Sequence, residues 1–341
     1  MKLLTFVVPS YNAEAYLHKC IESLLPAKED CEIIIVDDGS TDRTGEIADS
    51  YAAKEPDCVR VIHQPNGGHG SGINNGLKAA QGLYFKVIDS DDWADRDALR
   101  RVVETLRSLE ERGGVDLVVC NYVYEHLDTG KQQVIRFGNA LPEGRVLTWE
   151  DTHHFRISQQ LSLHSCIYRT ETLRKSGVCL PEHVFYEDNL FVYVPLAYVQ
   201  HLYYLNADFY RYAIGRQGQS VAKESLMRHS GDQRTVSLAV FAAHNVPEIK
   251  KQNPKLGRYL HHSMSFLMIL AVLFTRIRNT READAQVKEF WKEIVTIDPK
   301  RGKRLKYFSR SGVFLLSLPG VPGRLFARTM YAISHRVVRF N

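Results

Sequence analysis

Five short apolar runs rich in β-branched residues punctuate the first 125 residues. They are TFVVP (Thr5–Pro9), EIIIVDD (Glu32–Asp38), VRVIH (Val59–His63), YFKVID (Tyr84–Asp89) and VDLVVCNYV (Val115–Val123). Their apolar character is continuous rather than alternating, which suits strands covered on both faces. Helical stripes lie between them: Leu17, Cys20, Ile21, Leu24 and Leu25, stopped by Pro26; Ile47, Ala48 and Tyr51; Ile73, Leu77 and Ala80; and Leu99, Val102, Val103, Leu106 and Leu109, closed by Gly113-Gly114. This alternation predicts an α/β fold with a mostly parallel sheet flanked by helices, whose ligand crevice lies beyond the carboxyl ends of the strands. Residues 126–215 are mixed and less periodic, and the pattern is helical from about 221 onward. The expected division is a catalytic domain over 1–220, in two halves of about 1–125 and 126–220, and a helical region over 221–341.

The polar clusters sit at the strand ends. Pro9-Ser10-Tyr11-Asn12 follows the first strand, Asp37-Asp38-Gly39-Ser40-Thr41-Asp42 the second, and Asp89-Ser90-Asp91-Asp92 the fourth. A glycine-dense loop, Asn66 to Gly76, follows the third. Each alone reads as a turn or a helix cap; together, at neighbouring ends of one sheet, they read as a site. A dinucleotide fingerprint belongs after the first strand, where this chain has no glycine, and neither a P-loop nor a G-x-S-x-G elbow occurs.

Three carboxylates at the end of a buried strand repel one another, so a cation is expected among them. Mg²⁺ or Mn²⁺, with oxygen ligands and a substrate diphosphate, satisfies that need. Such a metal suits transfer of a group from a nucleoside diphosphate. Asp37 and Asp38 can accept hydrogen bonds from a base or ribose, and Tyr11 can stack on the base.

These segments, together with FYEDNLF (Phe185–Phe191), resemble the inverting family 2 glycosyltransferases of the GT-A fold, of the bacterial surface-polysaccharide type. The motifs run in the family's order over about the first 215 residues. The resemblance implies that Pro9, Tyr11 and Asp38 hold the nucleoside with Asp37 close by, that Asn66, Gly68 and Asn74 of the loop face the donor, and that Asp89 and Asp91 form the DxD motif. Asp91 or Asp92 would contact the metal. Where many relatives read A-R-N, this chain reads Gly72-Ile73-Asn74; the missing arginine asks for another cation, with Arg211 and Arg216 of YRYAIGRQGQSV as candidates.

Inverting transfer also needs a base for the acceptor hydroxyl. Glu187-Asp188, in an aromatic setting, should include a raised pKa, and the resemblance makes Asp188 the base with Glu187 in support. Tyr186 and His164 are candidates for the acceptor side. The Q-x-x-R-W signature of processive relatives is absent, so one sugar per encounter is expected.

Composition changes this picture in two places. The six cysteines form no CxxC pair, which points to reduced thiols in a cytoplasmic protein; no signal peptide is visible. The net charge of +5 hides a basic tail: from Lys300 onward there are ten Lys or Arg and no Asp or Glu. In VPGRLFARTMYAISHRVVRF, apolar Leu325, Phe326, Met330, Ile333, Val337 and Val338 share a helical face flanked by Arg324, Arg328, Arg336 and Arg339. A basic amphipathic helix of this kind can lie on the anionic inner face of a plasma membrane, or pack on the protein or at a homo-oligomer interface. The apolar run Met264–Phe274 is too short to span a bilayer. No nucleic-acid module spacing occurs.

The leading expectation is therefore a metal-dependent inverting transferase moving a sugar from a nucleotide sugar, a UDP-sugar first, to a saccharide acceptor carried on lipid. The alternatives are a polyprenyl-phosphate sugar synthase and a non-catalytic nucleotide-sugar-binding subunit.

Overall fold

The computed structural model describes residues 2–215, 223–308 and 313–338. The chain divides into two compact units, Met1–Ile214 and Gly215–Asn341.

The first unit runs β1 (Leu4–Ser10), α1 (Leu17–Leu24), β2 (Cys31–Asp37), α2 (Thr44–Lys54), β3 (Val59–His63), α3 (His69–Ala79), β4 (Tyr84–Val87), β5 (Trp93–Ala94) and α4 (Arg96–Glu110). It continues β6 (Leu117–His126), β7 (Lys131–Ile135), β8 (Val146–Leu147), β9 (Cys166–Arg169), α5 (Thr170–Ser176), α6 (Asp188–Tyr193) and β10 (Leu202–Ile214). Every residue of β1, β2 and β4 is buried, as unbroken apolar runs demand. The α1 and α4 stripes are the buried faces of those helices, and the Asp95 carboxylate caps α4 by accepting from the Asp97 and Ala98 amides.

The strand order is β3-β2-β1-β4-β9-β6-β10-β5, with β7 on β6 and β8 on β10. β3, β2, β1 and β4 are parallel, as expected. The other half departs from the mostly parallel expectation: β9 lies antiparallel between β4 and β6, while β10 returns parallel to β6. The pairing of β10 with β6 slips at Leu205/Asp208 and Asp208/Tyr210. The polar Asn206 and Asp208 sit there, bonded by the Asn121 side-chain amide, and they break the periodicity that would have marked a strand.

One close approach sets the site. A Cβ on Gly76 would lie 2.3 Å from Val7 Cγ1, so α3 rides against β1 at a distance only glycine permits.

The second unit runs α7 (Lys223–Arg228), α8 (Ser230–Ala243), α9 (Val246–Gln252), α10 (Pro254–Arg276), α11 (Arg281–Ile297), α12 (Pro299–Phe308), α13 (Val313–Leu316) and α14 (Val321–Val338); α10 is the central helix, and α12 packs on α11 and α13. The run Met264–Phe274 is thus part of a 23-residue helix that passes the length and composition test for crossing a membrane. The apolar window of α10 is 61 % buried inside the protein, as the core helix of a bundle is. Arg276, almost wholly buried, pairs with Asp284 and donates to the Leu318 carbonyl.

Candidate active site

The first two strand ends build a scaffold and leave one aromatic open. Asp38 is 3 % exposed and accepts from the Gly67 and Gly68 amides, both at 2.8 Å, and from Gln64 Nε2 at 2.7 Å. Asn66 donates to the Asp38 carbonyl. Asp37 accepts from the Ser40 amide and lies 2.8 Å from His63 Nδ1; burial alone would raise its carboxyl, but these bonds hold it below the usual range. Asp38 thus clamps the glycine-dense loop onto the end of β2, while Asp37 braces the Ser40 turn and the end of β3. Tyr11, just after Pro9 and Ser10, is 53 % exposed and offers a free ring face beside this clamp.

The loop delivers the start of α3. Gly68 has φ +85°, and a Cβ there would press on the His183 backbone, so the 181–183 segment packs against bare glycine. Asn74 spends its side-chain amide on the Leu180 backbone, donating at 2.8 Å and accepting at 3.0 Å. It fastens α3 to the segment that leads into α6. Ile73, at the place of the missing arginine, is buried.

His69 opens α3. Its Nε2 lies 2.9 Å from Asp89 Oδ1 and its Nδ1 lies 2.6 Å from Glu187 Oε1. Burial would lower the pKa of this imidazole, yet the two carboxylates hold it well above its ordinary value. The cation that the acid cluster requires therefore includes a side chain.

At the end of β4, Asp89 is held below the usual carboxylate range: burial opposes this, and the His69 hydrogen bond and charge outweigh it. Asp92 is 1 % exposed. Its Oδ2 lies 2.7 Å from the Tyr210 hydroxyl and its Oδ1 accepts from the Ala213 amide. Burial, followed by the charges of Asp91 and Asp89, pushes Asp92 well above its ordinary value. His164 stacks on Tyr210 and Tyr212, with centroids 4.5 Å away in each case. Burial pulls its imidazole down to about 4, and its Nδ1 is buried without a hydrogen-bond partner.

Ligand atoms of Asp89, Asp92 and His164 all lie within 4.8 Å of one another. Two carboxylate oxygens and a neutral imidazole nitrogen suit Mn²⁺, and also Mg²⁺ with more water. The raised Asp92 and the orphaned nitrogen are what a bound divalent ion would relieve. Asp91 does not join this group among the described residues. Lys86, fully buried in β4, donates to the carbonyls of Leu163, His164 and Cys166, and burial lowers its pKa to about 8. It fixes the turn that carries His164.

The second acid pair enters through a strained turn. Tyr186 has φ +68°, a left-handed conformation costly for an aromatic residue, and its carbonyl accepts from both the amide and the side chain of Asn189. The turn aims Glu187 inward, 3 % exposed, and leaves Asp188 partly open at the first turn of α6. Burial, then the Glu187 charge, raises the Asp188 carboxyl to about 7. It can exchange a proton near neutral pH.

Of the remaining candidates, Arg211 is held by Asp95 at 2.8 Å and Glu125 at 3.0 Å, and Arg216 lies outside the described residues. His164 stands with the acids of β4. Sequence reasoning missed His69, Tyr210 and Lys86; the one available signal was an imidazole inside a glycine-dense loop.

The Glycosyl transferase family 2 model matches residues 5–168. The chain is 35 % identical over 196 residues to the uncharacterized glycosyltransferase EpsJ of Bacillus subtilis, covering 55 % of this chain and 54 % of EpsJ. It thus spans about half the length of that relative. Among solved structures it resembles S. aureus TarS 1-349 in complex with UDP-GlcNAc, with TM-score 0.67, 22 % identity, and coverage of 97 % of this chain and 92 % of that one. It also resembles the mannosyltransferase PcManGT of Pyrobaculum calidifontis in complex with GDP-Man and Mn²⁺, with TM-score 0.52, 15 % identity, and coverage of 97 % and 86 %. At these identities the structural likenesses speak for the fold.

Proposed function

From a chain whose residues 5–168 belong to glycosyl transferase family 2, we propose a metal-dependent inverting glycosyltransferase. It moves a sugar from a UDP-sugar to a hydroxyl of a lipid-linked saccharide in surface-polysaccharide assembly. The observation that carries this reading is the convergence of two carboxylate motifs on one imidazole: His69 touches both Asp89 of the DSDD cluster and Glu187 of the ED pair. The donor-side and acceptor-side groups thereby share one site.

Asp188, with its carboxyl near 7, takes the acceptor hydroxyl proton as that oxygen attacks the anomeric carbon. The nucleoside diphosphate departs from the opposite face, so the configuration inverts. Such general-base help is worth roughly 10²–10⁴-fold. Tyr11 stacks on the base, Asp38 holds the loop that shapes the nucleoside pocket, and Asp37 braces the turn beside it. Asp89, Asp92 and His164 are the residues that would hold Mn²⁺ or Mg²⁺, and the ion would neutralise charge on the departing diphosphate. Tyr210 and the Ala213 amide orient Asp92.

A membrane-borne acceptor is supported by the second unit taken by itself. Tyr307, Phe314, Leu315, Val321 and Leu325 are exposed within a stretch whose only charges are basic. Arg324 of α14 is paired with Asp284 and Arg301 of α12 with Asp298, so the exposed Arg328 and the exposed Lys300, Lys303 and Arg304 of α12 supply the surface charge. Binding to vesicles containing anionic lipid, lost in high salt, tests this contact.

The function is tested by incubating the protein with a panel of nucleotide sugars and Mn²⁺ and measuring nucleotide release with and without saccharide acceptors. Release from at least one UDP-sugar, lost on chelation and in Asp188→Asn, is expected. A folded protein that releases nucleotide from none of them refutes the reading.

A further inference from the structure

Resting on that reading, we propose that His69 is a positioning residue, a strut whose two ring nitrogens hold Asp89 and Glu187 in fixed register so that Asp188 is aimed at the anomeric carbon. The partners come from distant parts of the chain, 20 and 118 residues away. Both nitrogens face carboxylate oxygens, at 2.9 and 2.6 Å. The ring thus bridges the two carboxyl groups through both of its nitrogens, and hydrogen bonds to charged acceptors belong to the strong class.

The strut has a rigid mount. α3 is seated on β1 through Gly76 and Val7. It is tied to the 178–183 segment by the paired Asn74–Leu180 bonds and by the His183 amide donating to the Gly67 carbonyl. These ties fix where α3 begins, and His69 fixes what lies beyond: the end of β4 on one side and the entry to α6 on the other. Glu187, next to Asp188, is almost wholly buried, and a buried carboxylate without a partner would reorient toward water. Positioning is consequential at this scale, because a misplacement of about 1 Å can cost about 10²-fold in rate.

The test compares wild type, His69→Ala, His69→Gln, Glu187→Gln and the double variant His69→Ala/Glu187→Gln. The readouts are kcat, UDP affinity by calorimetry and thermal stability. The strut predicts a fall in kcat of about 10²-fold for His69→Ala, UDP affinity changed far less than kcat, and partial recovery on adding imidazole to the buffer. It further predicts that the double variant is no slower than the slower single, since one connection is broken twice. His69→Gln, which keeps one donor, should fall between. A His69→Ala enzyme with near wild-type kcat, multiplicative losses in the double variant, or a folded His69→Ala that imidazole leaves unchanged would overturn the proposal. If His69→Ala does not fold, the same cycle is run with His69→Gln and decides on the same additivity criterion. If wild type transfers from no nucleotide sugar, the functional reading fails by itself. The coupling of His69 and Glu187 in thermal stability then still decides whether the strut exists.

Discussion

Replacing Asp188 by asparagine should slow transfer steeply and, at neutral pH, make the protein more stable. The carboxyl is raised from 3.8 to about 7, first by burial and then by the Glu187 charge. The unfolded chain therefore ionises near pH 4 while the folded chain resists until about pH 7. A shift of about three units corresponds to about 4 kcal/mol of strain in the ionised folded state, as an upper bound. The group is partly open to water, which reduces this to about 1–2 kcal/mol. The sign follows from proton binding: the folded state holds the proton longer, so stability falls as pH rises from about 4 to about 7 and is then flat. Asparagine carries no such penalty. The Tm of Asp188→Asn minus that of wild type should accordingly grow over that pH interval, by roughly 2–8 °C. Transfer should drop by about 10²–10⁴-fold, and wild-type kcat/KM should decline about tenfold per pH unit below the Asp188 pKa. Differential scanning fluorimetry from pH 4 to 8, paired with nucleotide-release kinetics, measures both. A Tm difference independent of pH, or full activity in the variant, would rule out a raised, catalytic Asp188 carboxyl.

Three other perturbations separate the parts of the site. Asp92→Asn keeps the contacts to Tyr210 and Ala213 and removes a charge that the metal-free protein already disfavours; its Tm without metal should hold or rise, while the Mn²⁺-induced increase expected of wild type should be absent. Lys86→Met strips three buried carbonyls of their donor and should cost about 3 kcal/mol in chemical denaturation, with weaker Mn²⁺ binding because the His164 turn loosens. Gly76→Val would drive side-chain atoms into Val7 and should destabilise by about 1–3 kcal/mol or prevent folding, whereas Gly130→Ala, in open space, should cost only its positive-φ strain.

The parallel half of the sheet was legible because buried strands carry unbroken apolar runs and the intervening helices carry clean stripes. β10 was not, because Asn206 and Asp208 face an internal amide and interrupt the pattern. β9 was not, because its antiparallel place depends on partners elsewhere in the chain. The site was legible as a set of motifs, each short and contiguous. Roles within it were less so. Asp38 and Asn74 look like ligand contacts in sequence, yet Asp38 holds two loop amides and Gln64, and Asn74 holds the Leu180 backbone. Arg211 looks like a spare cation until Asp95 and Glu125 are brought to it. His69 acquires meaning only when residues 20 and 118 positions away meet it, and no local pattern encodes that meeting.

With Asp188 as the base of an inverting displacement, opposite a diphosphate that a metal would hold, the anomeric configuration of the product is fixed. Proton NMR of the first product formed from an α-linked UDP-sugar, Mn²⁺ and a saccharide acceptor reads that configuration. A β-linked product is expected from wild type, with its formation about 10²–10⁴-fold slower in Asp188→Asn. An α-linked product, or the same β product from Asp188→Asn at the wild-type rate, would contradict it.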